Sequence, residues 1–200
     1  APVKLPLAPW RGAGCVIPVF SLRSEKSYGV GDFGDLRRMV DWVSMTGQHA
    51  LQILPINDTT LTGKWTDSYP YNAISIYALH PLYADLDALP PLNDAAQRTI
   101  FEEGRKRLNA LVHLDYEHAM DLKRRYLRLL FNQEWETTRT TKAFKAFFTK
   151  NEEWLVPYAA YCYLRDHFGT PDFRHWGKMS QYKASEIKKL TKKGTESADE

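Results

Sequence analysis

Three groups of residues in this chain have types and spacings that could do chemistry. Gly29, Gly31 and Gly34 form G-x-G-x-x-G between an apolar run and an amphipathic run, and Asp58 follows 24 residues later. On pattern alone that is a dinucleotide fingerprint, in which glycines bring the backbone to a pyrophosphate at a helix N-terminus. Two features argue against it. The stretch SLRSEKSY separates the glycines from the preceding run, so no tight turn delivers a phosphate to the helix. Asp32 lies inside the motif and Asp35 directly follows it. Carboxylates there occupy the helix's positive end themselves and repel a diphosphate. The reading adopted is a loop closed by an Asp helix cap.

The second group is TDSYPYNAIS, residues 66–75, within an aromatic stretch that also holds Trp65, Tyr77 and Tyr83. Tyr and Trp rings can stack on the C–H face of a pyranose, and Asp67, Ser68 and Asn72 offer polar partners for sugar hydroxyls. Pro70 stiffens the segment before any ligand arrives. The residues alone leave a second reading open, in which Tyr69, Tyr71 and Tyr77 pack the loop onto its own domain. The third group is the carboxylates Asp32, Asp58 and Asp67. Capping and loop hydrogen bonding is the reading for Asp32 and Asp58, and none of the three is assigned as nucleophile or acid. The six histidines show no HExxH or paired i, i+4 spacing, so no metal site is expected. No GxSxG occurs, and Cys15 inside an apolar run is a poor nucleophile. With no CxxC, Cys15 and Cys162 read as reduced core thiols of a cytoplasmic protein.

These residues need elements to hold them. The runs 14–20 (GCVIPVF) and 50–56 (ALQILPI) predict two buried strands. Pro18 weakens the first by one ladder bond. Between them, Leu36, Met39, Val40 and Val43 recur at helical spacing over 35–46, and Gly47 is a natural stop. Strand, helix, strand is a βαβ unit with parallel strands. In such architectures ligands bind at the C-terminal ends of the strands, where residues 21–34 and 57–78 emerge. From residue 93 onward the pattern is helical, with helices predicted over 100–112, 119–135, 140–149, 152–168 and 185–193. Residues 1–90 therefore read as a βαβ unit with a long substrate loop, and 91–200 as a helical insertion with a charged tail.

Composition bounds the rest. Hydrophobic residues are 44% and charged residues 26% of 200, which are globular values. Residues 1–90 carry 7 Lys/Arg against 8 Asp/Glu, and residues 91–200 carry 20 against 16. Neither half is basic enough to neutralise many phosphates, so no nucleic-acid partner is expected. No apolar run approaches the roughly 20 residues that span a bilayer. The first nine residues predict no signal peptide. The missing initiator Met and the charged end fit a piece of a longer chain. Two strands alone leave edges exposed, so oligomerisation, strand exchange or cover by the 91–185 helices is expected.

Four ordered strings then carry a family resemblance. They are WRGAG–VIPVFSLRSEKSYGVGDFGDL from Trp10 to Leu36, QILPINDT from Gln52 to Thr59, DSYPYNAIS from Asp67 to Ser75, and ALHPLYADL from Ala78 to Leu86. Together they resemble the start of a 4-α-glucanotransferase catalytic domain, the amylomaltase or disproportionating-enzyme family, glycoside hydrolase family 77. Their form is most similar to the type-2 disproportionating enzymes and bacterial relatives. The resemblance implies an α/β fold, here a partial (β/α)8 TIM barrel followed by a helical insertion. It implies cytoplasmic, retaining transfer of α-1,4-glucan segments, with a maltooligosaccharide or α-glucan substrate and no metal or organic cofactor. It implies substrate contacts at Tyr71, Ser68, Asp67, Trp65 and Asn72, with Tyr71 matching a family tyrosine near the cleaved bond. The family's catalytic carboxylates lie on later strands. No catalytic residue is therefore expected within these 200 residues, and the segment alone is expected to be inactive.

Overall fold

The first strand stops short of Pro18. In the computed structural model, which describes residues 12–192 and 194–199, β1 covers only Gly14–Val16. It pairs in parallel with β2, Ala50–Gln52, in the register Gly14 to Ala50, Cys15 to Leu51 and Val16 to Gln52. One further bond runs from the Ile17 N–H to the Gln52 carbonyl at 2.9 Å. The chain then leaves the ladder at Pro18, whose fixed φ of −68° leads into a 3₁₀ turn over Val19–Ser21. Both strands are shorter than the apolar runs that predict them. The reading of Trp10 and of the first nine residues falls outside the described residues.

After β2 the backbone bonds go to a different partner. The His80 N–H reaches the Ile56 carbonyl at 3.0 Å, and the Asp58 N–H reaches the Ala78 carbonyl at 2.9 Å. These antiparallel bonds close a neck, and residues 59–77 form a loop beyond it. The predicted helix is α1, Phe33–Met45, which starts two residues earlier than its apolar spacing suggests. Its cap explains the difference. Asp32 accepts from the Gly34 and Asp35 N–H groups at 3.0 and 3.2 Å, and the Asp35 carboxylate reaches back to the Asp32 N–H at 3.3 Å. At the other end the Gln48 N–H bonds the Val43 carbonyl and the Gly47 N–H bonds the Ser44 carbonyl, a Schellman stop.

The helical part comprises α2 (Ala95–Asn109), α3 (Tyr116–Thr138), α4 (Lys142–Phe168) and α5 (Ala184–Leu190), followed by a single short turn of helix, α6, over Glu196–Asp199. The two helices predicted over 140–149 and 152–168 are one. Polar Lys150, Asn151 and Glu152 interrupt the apolar spacing but not the backbone, and Pro157 is carried inside the helix.

The core does not sit on the sheet. Val19 from the 3₁₀ turn and Tyr28 and Val30 from the glycine loop pack with Leu82, Tyr83 and Leu86 against Phe101 and Leu108 of α2 and Met120, Tyr126 and Leu130 of α3. Phe101 meets Tyr126 edge to face at 5.1 Å. Both sides of position 90 contribute. The expectation of two buried strands is corrected accordingly: each strand is exposed, half-buried, exposed along its three residues, and Val16 is 63% exposed. Among the described residues the sheet has only these two strands, with α1 against β2, and Cys15 and Leu51 at their centres are half-buried. Cys15 and Cys162 are free thiols and half-buried rather than fully in the core.

One buried charge crosses this core. The Lys123 side chain of α3 is wholly inaccessible. Its ammonium donates to the carbonyls of Leu82 and Ala84 at 2.8 Å each and to Asp32 Oδ2 at 3.2 Å. All three donors are used.

Candidate active-site loop

The glycine motif is filled by the protein itself. A Cβ on Gly31 would lie 2.0 Å from the Val19 carbonyl oxygen, and one on Gly29, whose φ is +74°, would lie 2.8 Å from Leu108 Cβ. These glycines let the 19–22 turn and the end of α2 approach the loop. The Gly29 N–H is taken by Asn109 Oδ1 at 2.8 Å, and the helix N-terminus by Asp32. Ser24 and Ser27 hydroxyls donate to Asp35 at 2.5 and 2.6 Å, and Arg38 adds a bond at 2.9 Å. The amides that a diphosphate would need already have carboxylate or amide acceptors.

Loop 59–77 is organised from inside by two buried carboxylates. Asp58 Oδ1 accepts from the Thr60 N–H at 2.9 Å and the Thr60 hydroxyl at 2.6 Å. Its Oδ2 accepts from the Tyr158 hydroxyl of α4 at 2.6 Å. Asp67 Oδ2 accepts three successive backbone N–H groups, Leu61 at 3.0, Thr62 at 2.7 and Gly63 at 2.6 Å. Its Oδ1 takes the Thr62 hydroxyl at 3.1 Å, and the Thr59 hydroxyl donates to the Asp67 carbonyl. The backbone thus wraps an anion that the loop supplies itself. Asp67 is buried, so the structure turns it toward the loop backbone and away from solvent.

Against the neck lies a cavity of about 150 Å³. Phe20 and Pro55 come from the strand ends, Ser68 and Pro70 from the loop, and His80 and Tyr116 form a polar wall. It is below the roughly 300–1,000 Å³ of drug-sized sites and has room for a single small ring. His80 Nδ1 accepts the Leu82 N–H at 3.2 Å, which leaves the proton on Nε2, 3.2 Å from the Tyr116 hydroxyl. Burial pushes the His80 pKa below its ordinary value, against the pull of Asp58 and Asp67. The neutral imidazole is therefore the donor to Tyr116.

This wall sets a pH profile for the fold. With its folded pKa below 6.5, His80 takes its proton first in the unfolded chain, so stability is lost as pH falls below 6.5. Burial raises Tyr83 on the same wall and Tyr28 in the core from 10.0 to about 12 each. For a raised tyrosine, stability is full below pH 10 and is lost as pH climbs through about 12. Urea midpoints of the intact protein should fall on both sides of a plateau. His80→Phe should flatten the limb just below pH 6.5 and leave the alkaline limb unchanged.

Outside the cavity, Trp65 is 69% exposed and lines an open groove with Val112, Asp115, Glu117 and His118. Its backbone N–H and the Lys64 ammonium both donate to Glu117, each at 3.3 Å, which ties the turn to the start of α3. Tyr69 and Tyr71 are both exposed, with ring centroids 5.6 Å apart. Tyr77 stacks on Trp154 of α4 at 5.4 Å.

The five expected contact residues thus fall in different places. Ser68 lines the cavity and Trp65 the groove. Tyr71 and Asn72 are exposed on the outer limb and line neither. Asp67 holds the turn between them. His80, Tyr116 and Tyr158 were not singled out from the sequence. His80 lies in the HPLY string, which marked it; Tyr116 and Tyr158 look like ordinary helix aromatics.

Comparison with known proteins follows the same stretch of chain. The chain is 43% identical over 188 residues to the 4-alpha-glucanotransferase DPE2 of Oryza sativa subsp. japonica, covering 94% of this chain and 20% of that protein. It is 34% identical over 164 residues to a 4-alpha-glucanotransferase of Chlamydia muridarum, covering 82% of this chain and 30% of the relative. A 4-alpha-glucanotransferase of Mycobacterium tuberculosis is 29% identical over 188 residues, with 88% and 25% covered. The chain therefore spans between a fifth and a third of the length of these relatives. The 4-alpha-glucanotransferase family model runs from residue 17 to residue 200, through the strand ends, the neck and the loop that build this site, and the chain belongs to that enzyme family.

Proposed function

We propose that the protein transfers α-1,4-glucan segments between maltooligosaccharides or onto branched glucans, and that this chain supplies sugar contacts from the first two strands of a (β/α)8 barrel. The observation that carries this reading is the loop after β2. Trp65 is presented as an exposed platform, and Ser68 is set at a ring-sized cavity beside the C-terminal strand ends. Tyr71 and Asn72 extend the contact surface on the outer limb, and Asp67 serves by holding Trp65 and Ser68 in register. The reaction retains configuration. A carboxylate attacks the anomeric carbon, a carboxylic acid protonates the leaving oxygen, and an acceptor hydroxyl then takes the glycosyl group from the enzyme.

Those two carboxyl groups lie outside residues 1–200. The site's own carboxylates support this, because the oxygens of Asp58 and Asp67 are occupied by loop and helix donors. The same occupancy favours a second reading, a glucan-binding module without chemistry. Incubating the full-length protein that carries this chain with maltotriose separates the two. Glucose and longer chains are expected, and binding without product would leave only the module. Trp65→Ala should raise the dissociation constant for maltoheptaose roughly tenfold, the loss of one stacked ring at about 1.4 kcal/mol. An unchanged constant removes Trp65 from the site.

A further inference from the structure

The long helix α4 touches the sugar loop at both of its ends. Trp154, Tyr158 and Arg165 lie along one face, spread over roughly 16 Å at about 1.5 Å per residue. Trp154 stacks on Tyr77, at the closing limb of the loop. The Tyr158 hydroxyl donates to Asp58 Oδ2 at 2.6 Å, at the opening limb. The buried Arg165 donates to the Thr60 carbonyl at 2.6 Å, while Asp166 takes its other edge at 2.7 and 3.0 Å. From there the contacts run inward. Asp58 holds Thr60, Thr59 bonds the Asp67 carbonyl, and Ser68 is the next residue on the cavity wall.

We propose that Tyr158 and Arg165 are positioning residues for the glucan site, fixing the register of Trp65 and Ser68 through Asp58 and Thr60. The inference rests on the glucan-site reading above. Packing alone does not require it. Phenylalanine at 158 would fill the same space, and an arginine is not needed to bury a loop carbonyl. A hydroxyl aimed at a buried carboxylate and a guanidinium aimed at one carbonyl specify position, because both bonds are directional and charge-assisted. Ordering by α4 before substrate binds would spare the loop that entropy at the moment of binding.

The test is Tyr158→Phe in the intact protein, with Arg165→Lys as an independent second variant. Amide exchange at Leu61, Thr62 and Gly63 is expected to quicken about tenfold, the loss of one charge-assisted hydrogen bond at about 1.4 kcal/mol. Exchange in α2 and α3 should stay unchanged. The KM for maltotriose should rise by a similar factor, and the share of hydrolysis over transfer should increase as a loosened loop admits water. KM and product share do not depend on how much enzyme is folded, so a merely structural role would leave both unmoved. If Tyr158→Phe fails to fold, Arg165→Lys must show the same local exchange and KM shift. Unchanged loop exchange, or exchange that rises equally in the helices, overturns the proposal. Absence of any disproportionation by the unsubstituted full-length protein overturns the glucanotransferase reading instead.

Discussion

Lys123→Ala is expected to destabilise the protein by about 3–5 kcal/mol, measured as a fall in the urea midpoint at constant slope. The size follows from what is left behind. The wild-type ammonium is inaccessible and spends its three donors on Asp32, Leu82 and Ala84. Without it, Asp32 stays buried with its helix-cap bonds but no counter-charge, and two carbonyls lose their partner. Burial pushes Lys123 down and Asp32 up in pKa, and each charge opposes the shift of the other. The pair as a whole need not be strongly stabilising, because desolvation offsets much of its attraction. Breaking one half is what costs. Lys123→Met with Asp32→Asn should therefore recover at least half of the loss, since asparagine can still cap α1 through its oxygen. A single-variant loss below about 1 kcal/mol would mean that water reaches Asp32 and that the core is not sealed as described.

The position of Lys123 also shows where sequence reading reaches its limit. It sits next to Leu122 on a helix whose apolar face was visible, and a lysine there reads as part of the solvated side. Only the fold brings it to Asp32, 91 residues away. What was legible is local. The cap at Asp32 and Asp35 and the stop at Gly47 are written within a few residues of where they act, and the parallel pairing of β1 with β2 follows from the helix between two apolar runs. The strand ends are not legible because apolar character predicts burial rather than pairing, and the chain turns away at Pro18 after three paired residues. Helix α4 reads as two in sequence because the polar stretch 150–152 interrupts the apolar spacing without interrupting the backbone. In the candidate site, the clustering of sugar-binding residue types in one loop singles out Trp65 and Ser68, which line the groove and the cavity. His80 and Tyr116 meet from 36 residues apart, and Tyr158 meets Asp58 from 100 apart. No spacing rule covers such pairs. Asp67 is the instructive case. Its residue type and location pointed to a ligand, and its three backbone donors show it serving the loop first.

That inward role makes Asp67→Ala the substitution with the largest expected effect on activity. Three successive N–H groups lose a charged acceptor at once. Charge-assisted bonds of this kind contribute about 1.5–3 kcal/mol each when buried. Their sum overstates the fall in stability, because a released surface loop gives its amides to water. The loss should appear instead in order. Trp65 and Ser68 flank Asp67, so an unwrapped 61–68 turn moves the platform and the cavity wall together. A displacement near 1 Å costs about 100-fold in a reaction that depends on alignment, and kcat/KM for maltotriose should fall by that order. Asp67→Asn should fall between, since its amide keeps one oxygen for three donors and brings an NH₂ where only donors point. If Asp67 instead met sugar hydroxyls directly, asparagine would be a fair substitute and the turn would keep its order. Amide exchange at 61–63 separates the two cases: acceleration in Asp67→Asn at unchanged α2 and α3 exchange marks the loop role, and wild-type exchange in both variants with KM raised only in Asp67→Ala marks direct contact.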